Sequence, residues 1–181
     1  MQSADRIIGS ALQPYENFSW KPLWKSREIK TMYKKILYNT CLTEYCDHVF
    51  NFALNLAEEN NARLLIYYGI GRLNGGDNVE ELIKEGESKV AEAYVGRMKE
   101  RAFDNYAINV TDGDAAGELS KLARNAGADL MVMSTSTELP LDTGESPQDE
   151  SFSKLTAEAL LRAPCPVLVI PPSLIPGLAR G

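Results

Sequence analysis

Two polar stretches of the chain have residue types and positions suited to holding a small ligand. Asn39, Thr40 and Cys41 follow one short apolar run, and residues 134–137 follow another. In open parallel sheets, ligands bind beyond the carboxyl ends of the strands, where the strand order reverses. If the two runs form neighbouring strands, both stretches line one crevice. The predicted crevice comprises Asn39, Thr40, Cys41, Gly69, Ser134, Thr135, Thr137, Ser151, Ser153 and Lys154.

Some residues of this set favour a bound phosphate, and others oppose it. Ser151 and Ser153 stand at the start of a helix-like segment, where the helix dipole favours an anion, and Lys154 adds a positive charge. A phosphate cradle, however, depends on glycines that adopt positive φ and let backbone N–H groups approach the ligand. Ser134 and Thr137 resist that geometry, so the sequence predicts a poor cradle.

The loop that follows the second stretch is acidic. Between residues 138 and 150 it holds five carboxylates and neither Lys nor Arg: Glu138, Asp142, Glu145, Asp149 and Glu150. These charges would repel a triphosphate unless Mg²⁺ intervened. We therefore expect no cofactor and no tight ATP binding, with Mg–ATP kept as the alternative. The hydroxyls of residues 134–137 could instead accept phosphate from a kinase.

The three cysteines support different hypotheses. Cys41 lies at the predicted crevice, where a nearby helix N-terminus would favour the thiolate and make it a reactive thiol sensor. Cys46 falls on the apolar face of a helical pattern and is predicted to be a core residue. Cys165, between two prolines, is predicted to be an inert packing residue. An odd, small number of cysteines indicates a reducing compartment, so we expect a cytoplasmic protein.

Metal binding and acid–base catalysis find little support in the residue spacing. Cys46 and His48 are two positions apart on a helix, so their side chains diverge by about 200°. A single histidine leaves no Ser-His-Asp arrangement, and no pair of carboxylates is placed as a catalytic pair. We predict no metal site and no catalytic residue, and at most a weak ATPase.

The elements that must position the crevice follow from apolar periodicity. Five strand-like runs cover residues 35–39, 63–68, 105–110, 129–134 and 166–170. Four helical patterns separate them, the last over residues 151–163. Thr43 and Asp114 are predicted N-caps, and Gly127 is a predicted left-handed terminator. Strands alternating with helices imply a parallel sheet with right-handed crossovers and helices on both faces.

Composition limits the class of partner and the number of domains. The chain has 181 residues and a net charge of −6, which disfavours nucleic-acid and anionic-membrane binding. The chain has no apolar run of about 18 residues, so we predict no transmembrane helix. Residues 1–10 do not resemble a signal peptide. We predict an N-terminal extension over residues 1–31, containing Trp20 and Trp24, that packs on the domain or on a partner subunit. After this extension we predict one domain over residues 32–172 and a C-terminal tail over residues 173–181.

From residue 32 to residue 170 the chain resembles universal stress proteins of the UspA type. The stretches that carry the resemblance are residues 33–38 (YKKILY), 127–133 (GADLMVM) and 163–170 (APCPVLVI). The resemblance implies an open, doubly wound, Rossmann-like sheet of five parallel strands in the order 3-2-1-4-5, of the adenine nucleotide alpha hydrolase-like type. It also implies a homodimer joined through the last strand, namely Val167, Leu168, Val169 and Ile170.

The chain departs from the ATP motif of that family. ATP-binding members carry Gly-x-x-Gly after the fourth strand, Gly-Ser or Gly-Thr at the last helix, and Asp after the first strand. The residues at those positions here are Ser134 and Thr137, then Ser153 and Lys154, then Cys41. We predict a non-catalytic regulatory or interaction module in a stress response, without tight ATP binding. The alternative is an ATP-binding, slowly hydrolysing switch with an atypical phosphate loop.

Overall fold

The structure is a computed structural model that describes residues 32–73, 76, 78–135, 153–171 and 174. Five strands alternate with four helices within these residues, which confirms the predicted alternation. The strands are β1 (Lys35–Thr40), β2 (Arg63–Gly69), β3 (Tyr106–Thr111), β4 (Leu130–Ser134) and β5 (Val167–Ile170). The helices are α1 (Glu44–Glu59), α2 (Val79–Glu100), α3 (Ala115–Ala126) and α4 (Lys154–Arg162).

The strands form one parallel sheet in the order β3-β2-β1-β4-β5, as the resemblance implied. The chain first winds outward from β1 to β3, then returns to the other side of β1 for β4 and β5. Strand order therefore reverses between β1 and β4, where Leu37 of β1 is in register with Met131 of β4. This places the carboxyl ends of β1 and β4 side by side, the arrangement that the predicted crevice requires.

Two apolar layers hold the sheet between its helices. On one face, Tyr38 packs with Phe50 of α1 and Tyr94 of α2, with ring centroids 5.7 Å and 6.0 Å away. On the other face, Leu37 packs in a cluster with Leu119 of α3 and with Ala159 of α4. Residues adjacent in β1 thus serve opposite layers, because side chains alternate across a strand.

Several helix ends agree with the sequence and one differs. The hydroxyl of Thr43 accepts from the amide of Cys46 and caps α1, and Gly127 ends α3 with φ 63°. Asp114 is the N-cap residue of α3, yet its side chain makes no capping hydrogen bond. Its carboxylate instead pairs with Arg162 of α4 at 2.9 Å, so an ion pair between helices replaces the predicted cap.

The last helix begins at Lys154, later than the predicted start at residue 151, because Ser153 is its N-cap. Thr137, Ser151, the acidic loop of residues 138–150 and the N-terminal extension of residues 1–31 lie outside the described residues. Within the described part of the chain, no helix is both long and apolar enough to cross a membrane.

Candidate functional site

The first wall of the crevice is the end of β1, where Asn39 and Thr40 are buried. The hydroxyl of Thr40 shares a 2.6 Å hydrogen bond with that of Tyr94 and accepts from the amide of Leu42 at 3.0 Å. Thr40 therefore holds the strand end against α2 and the start of the following loop. Its hydroxyl serves this internal network, although the sequence offered it as a ligand contact.

Tyr38 and Tyr94 complete the hydrogen-bond network at the end of β1. The hydroxyl of Tyr38 donates to the backbone oxygen of Cys46 at 2.5 Å, tying β1 to the first turn of α1. Burial raises the pKa of Tyr38 well above its ordinary value and raises the pKa of Tyr94 as well. Both hydroxyls consequently stay protonated at neutral pH, and Tyr38 acts as a structural donor.

Cys41 and Cys46 form a disulfide, which the sequence did not predict. Their Cα atoms are 6.2 Å apart, within the range that a disulfide spans. The hypothesis that Cys41 is a lone reactive thiol is therefore wrong in this structure. Cys46 is fully buried, as its place on the apolar face predicted, but it is a bonded sulfur. Periodicity finds which residues are buried, and it cannot show that a loop returns one sulfur to another.

The second wall is the end of β4, where Tyr45 of α1 crosses to two strands. The amide of Thr135 donates to the hydroxyl of Tyr45 at 3.2 Å, and the two hydroxyls are 3.1 Å apart. The Tyr45 hydroxyl in turn donates to the backbone oxygen of Ile170 at the end of β5. One fully buried tyrosine thus connects α1, β4 and β5 at the carboxyl edge of the sheet.

The start of α4 is bonded to the same strand end. The amide of Ser153 donates to the backbone oxygen of Thr135 at 2.9 Å, and its hydroxyl accepts from the amide of Thr156 at 3.1 Å. The hydroxyl of Thr156 donates to the backbone oxygen of Ser134 at 3.1 Å, and both residues are buried. Ser153 therefore caps its own helix, a role that competes with the predicted contact to an anion.

Lys154 and Gly69 lie at a neighbouring feature that we call the α3–α4 groove. Its volume is about 400 Å³, and its lining residues are Arg72, Asp114, Ala115, Ala116, Lys154, Leu155, Glu158 and Arg162. Lys154 is almost fully exposed there, 3.9 Å from Glu158. Gly69 is not among the lining residues, but it packs against one of them, because a Cβ atom on it would lie 3.0 Å from that of Ala115. Of the predicted set, the described residues Asn39, Thr40, Cys41, Ser134, Thr135 and Ser153 lie at the ends of β1 and β4 or at the start of α4, and Lys154 lines the groove. Thr137 and Ser151 lie outside the described residues.

The residues that contribute most to both features could not be recognised from the sequence. Tyr45 sits on the apolar face of α1, and its periodicity there gave no sign of a hydroxyl reaching two strands. Thr156 donates to a backbone oxygen 22 positions away, a contact that no local spacing indicates. Arg72 and Arg162 come from separate parts of the chain, so only the fold brings them together.

Charged and sulfur ligands do not cluster in a metal-binding pattern in the described residues. No group of three or more His, Cys, Asp or Glu there is arranged to hold a metal ion. The hydroxyls and amides at the ends of β1 and β4 are bonded to protein groups, whereas the α3–α4 groove offers three cations and two carboxylates. Hydrogen bonding and anion binding are the chemistry that these groups can perform.

The family model and the solved structures to which the chain is similar indicate the same family. The model of the universal stress protein family matches residues 32–171. No curated protein matches the chain in sequence. A universal stress protein solved in complex with cAMP shares 20% identity with a TM-score of 0.58, covering 77% of this chain and 97% of that one.

Two further solved structures show the same likeness. A universal stress family protein from Burkholderia pseudomallei is 26% identical with a TM-score of 0.58, covering 78% of this chain and 98% of that one. The universal stress protein from Archaeoglobus fulgidus in complex with dAMP is 18% identical with a TM-score of 0.57, covering 77% and 98%. These likenesses support the fold, and the nucleotides belong to those proteins.

Proposed function

Because the chain belongs to the universal stress protein family, we propose that it is a non-catalytic regulatory or interaction module of a stress response without tight ATP binding. One observation carries this proposal: amides at the strand-order reversal are bonded to protein groups. The amide of Thr135 donates to Tyr45, that of Ser153 to Thr135, and that of Thr156 to Ser153. A phosphate would have to displace these bonds to be held here.

The charge near the crevice also disfavours a nucleotide. The first turn of α1 carries Glu44 and Asp47, where a helix that binds phosphate would gain from neutral or basic residues. The negative charge of Asp47 is partly offset by the guanidinium of Arg97 on α2, whose nitrogen lies 2.5 Å from the carboxylate oxygen. Glu44 remains exposed, and its charge would repel a triphosphate at the end of β1. A cytoplasmic location stays part of the proposal, supported by the small number of cysteines.

A second candidate function is nucleotide or phosphate binding in the α3–α4 groove, as part of a slow ATP-dependent switch. The observation that favours it is the convergence of Arg72, which follows β2, with Lys154 and Arg162 at the two ends of α4. Asp114 and Glu158 neutralise part of this charge through Arg162, at 2.9 Å and 3.9 Å. Arg72 and Lys154 are exposed and are thus available to an anionic ligand.

Calorimetric titration of the full chain with ATP and Mg²⁺ distinguishes the two candidates. We expect no saturable heat at micromolar ligand, and saturable heat there would contradict the leading proposal. If heat appears, its loss in an Arg72→Gln, Lys154→Gln double variant assigns it to the groove. Lys89→Gln is the matched control, since Lys89 is an exposed lysine paired with Glu85 on the distant helix α2.

Homodimer formation through β5 is a further part of the proposal. β5 is an edge strand, and Leu168 on it is 37% exposed. The oxygen of Pro166 accepts from the amide of Met131 on β4, so alternation turns the amide of Val169 away from β4. That outward amide is available to a strand from a second copy.

Replacing Val169 tests this interface by removing one donor. Val169→Pro should give monomers in sedimentation velocity, because proline cannot donate to the partner strand. Val169→Thr is the matched control, since it keeps the amide and the branched shape. A dimer that persists in Val169→Pro would place the contact elsewhere.

A further inference from the structure

The disulfide of Cys41 and Cys46 lies at the entrance to the crevice, where β1 leads into α1. We propose that it is a reversible thiol–disulfide exchange site, attacked at Cys41 by a cellular dithiol, that locks and releases the loop between β1 and α1. In a reducing compartment, disulfides are usually transient and tend to serve redox sensing. The proposal does not depend on whether the crevice or the groove binds a nucleotide.

Burial decides which sulfur can be attacked. Cys46 is fully buried, whereas Cys41 is partly exposed at the end of the strand. Thiol exchange requires an external thiolate to reach a sulfur of the bond. Cys41 is therefore the sulfur that receives the incoming thiolate, and Cys46 is the sulfur that leaves.

The surroundings of Cys46 suit a leaving thiolate. Its sulfur accepts from the amide of Cys41 at 3.2 Å, and it lies in the first turn of the 16-residue helix α1. The amide and the helix N-terminus stabilise negative charge, against the opposing charges of Glu44 and Asp47 in the same turn, of which Asp47 is paired with Arg97. The hydroxyl of Thr43 is 3.2 Å from the sulfur of Cys41 and can donate to it once that sulfur is released.

The exchange balances as a two-electron reduction by a dithiol. The first thiolate of the dithiol bonds to the sulfur of Cys41, the Cys41–Cys46 bond breaks, and Cys46 leaves as a thiolate that takes a proton from water. The second thiol of the dithiol, once deprotonated, attacks the mixed disulfide and releases Cys41 as a thiolate. The Cys41 thiolate takes the second proton from water, so that the protein disulfide is reduced to two thiols, and the dithiol, which has lost two protons, is oxidised to a disulfide.

Release of the bond affects the loop that leads into Tyr45, the second residue of α1. Tyr45 lies between the two cysteines in sequence, and its hydroxyl holds the ends of β4 and β5. Leu42, within the same loop, has φ 59°, a conformation that non-glycine residues seldom adopt. Reduction therefore removes a covalent constraint from a strained loop at the entrance to the crevice.

Alkylation followed by mass mapping tests the exchange in the full chain. In air-oxidised protein, iodoacetamide should label Cys165 and leave Cys41 and Cys46 unlabelled, and dithiothreitol should make both reactive. Cys165 is the internal reference, because it is a free and partly exposed thiol, although burial raises its pKa and should slow its labelling. Labelling of Cys41 in the oxidised protein at the rate of Cys165 would overturn the proposal, as would a pair that dithiothreitol does not reduce in the folded protein.

Glutathione as a probe tests which sulfur is attacked. In wild-type protein treated with limiting reduced glutathione, the mixed disulfide should form on Cys41 at least about tenfold more than on Cys46. The Cys46→Ser and Cys41→Ser variants, treated with oxidised glutathione, should show the same preference. Equal modification of the two sulfurs would overturn the assignment, and the wild-type measurement decides if a variant fails to fold.

Discussion

At the strand-order reversal between β1 and β4, polar groups bond to one another, whereas in the α3–α4 groove charged side chains stay exposed. The reversal is closed by Tyr45, Thr156 and a disulfide. The groove is lined by Arg72, Lys154 and other charged residues on an open surface. Both lie at the carboxyl edge of one sheet, so the fold alone does not determine where a ligand could bind.

Under the proposed function, the chain would keep the frame of the family fold without a tight ATP site. Hydroxyls of Ser153 and Thr156 cap a helix and tie it to β4, where glycines would leave backbone amides accessible. Internal bonds of this kind stabilise the protein and compete with any ligand for the same donors. A region that is closed should therefore respond strongly to mutation, and an open one weakly.

Removing the side chain of Tyr45 should have the largest effect on stability. Tyr45→Ala deletes a buried aromatic ring and the hydroxyl between β4 and β5, so we expect a loss of about 3–5 kcal/mol in the free energy of unfolding. Urea titration measures it. Tyr45→Phe keeps the ring and should lose much less, and a Tyr45→Ala loss under about 1 kcal/mol would show that the reversal is not closed by this residue.

Raising the pH above 10 should have the second largest effect on stability, through the buried hydroxyls of Tyr38 and Tyr94. Burial raises the pKa values of Tyr38 and Tyr94 above 10.0, so the folded state holds protons that the unfolded state has lost. Their stabilisation is complete below pH 10 and declines as pH rises toward the folded pKa values, by about 1.4 kcal/mol per group and pH unit.

Unfolding measured by urea between pH 9 and 11 checks this decline. The Tyr38→Phe, Tyr94→Phe variant is the control, because it lacks both titrating hydroxyls and should have a flatter profile. An equally steep profile in the variant would assign the decline to other groups.

The hydroxyl of Thr156 should contribute less than Tyr45. Thr156→Val keeps the shape of the side chain and removes the donor to the oxygen of Ser134, at a cost of about 1–1.5 kcal/mol. Thr156→Ser retains the hydroxyl and serves as the control in the same unfolding experiment. No difference between the two variants would mean that the bond to β4 adds nothing to stability.

The open groove should give the smallest effect. Arg162 pairs with Asp114, and both side chains are nearly half exposed, so Arg162→Met should change the free energy of unfolding by about 0–1 kcal/mol. Thermal unfolding compares it with Arg162→Lys, which keeps the charge. A loss above about 2 kcal/mol would make the groove a structural contact and not an exposed surface.

The sequence predicted the frame of the protein better than its contacts. Continuous apolar runs identified four strands, as is typical of buried parallel strands, and alternating polar and apolar residues identified the outer strand β3. Thr43 and Gly127 marked helix ends through local chemistry. Strand order came from the family resemblance, and the sheet confirms it.

Contacts between segments that are distant in the chain could not be predicted from the sequence. The bond from Thr135 to Tyr45 spans 90 positions, and that from Arg162 to Asp114 spans 48. Even the disulfide, whose cysteines are only five positions apart in sequence, depends on how the loop after β1 returns to α1. Local patterns record burial and capping, whereas these pairings exist only once the chain has folded.

Hydrogen exchange at the amides of Thr135, Ser153 and Thr156 tests the closed reversal most directly. Followed by NMR in the oxidised full chain, these amides should exchange slowly without ligand, because each already donates to a protein group. Adding ATP and Mg²⁺ should leave their exchange rates unchanged. Fast exchange in the free protein that slows when ATP is added would contradict this account, because it would show open donors that the nucleotide occupies.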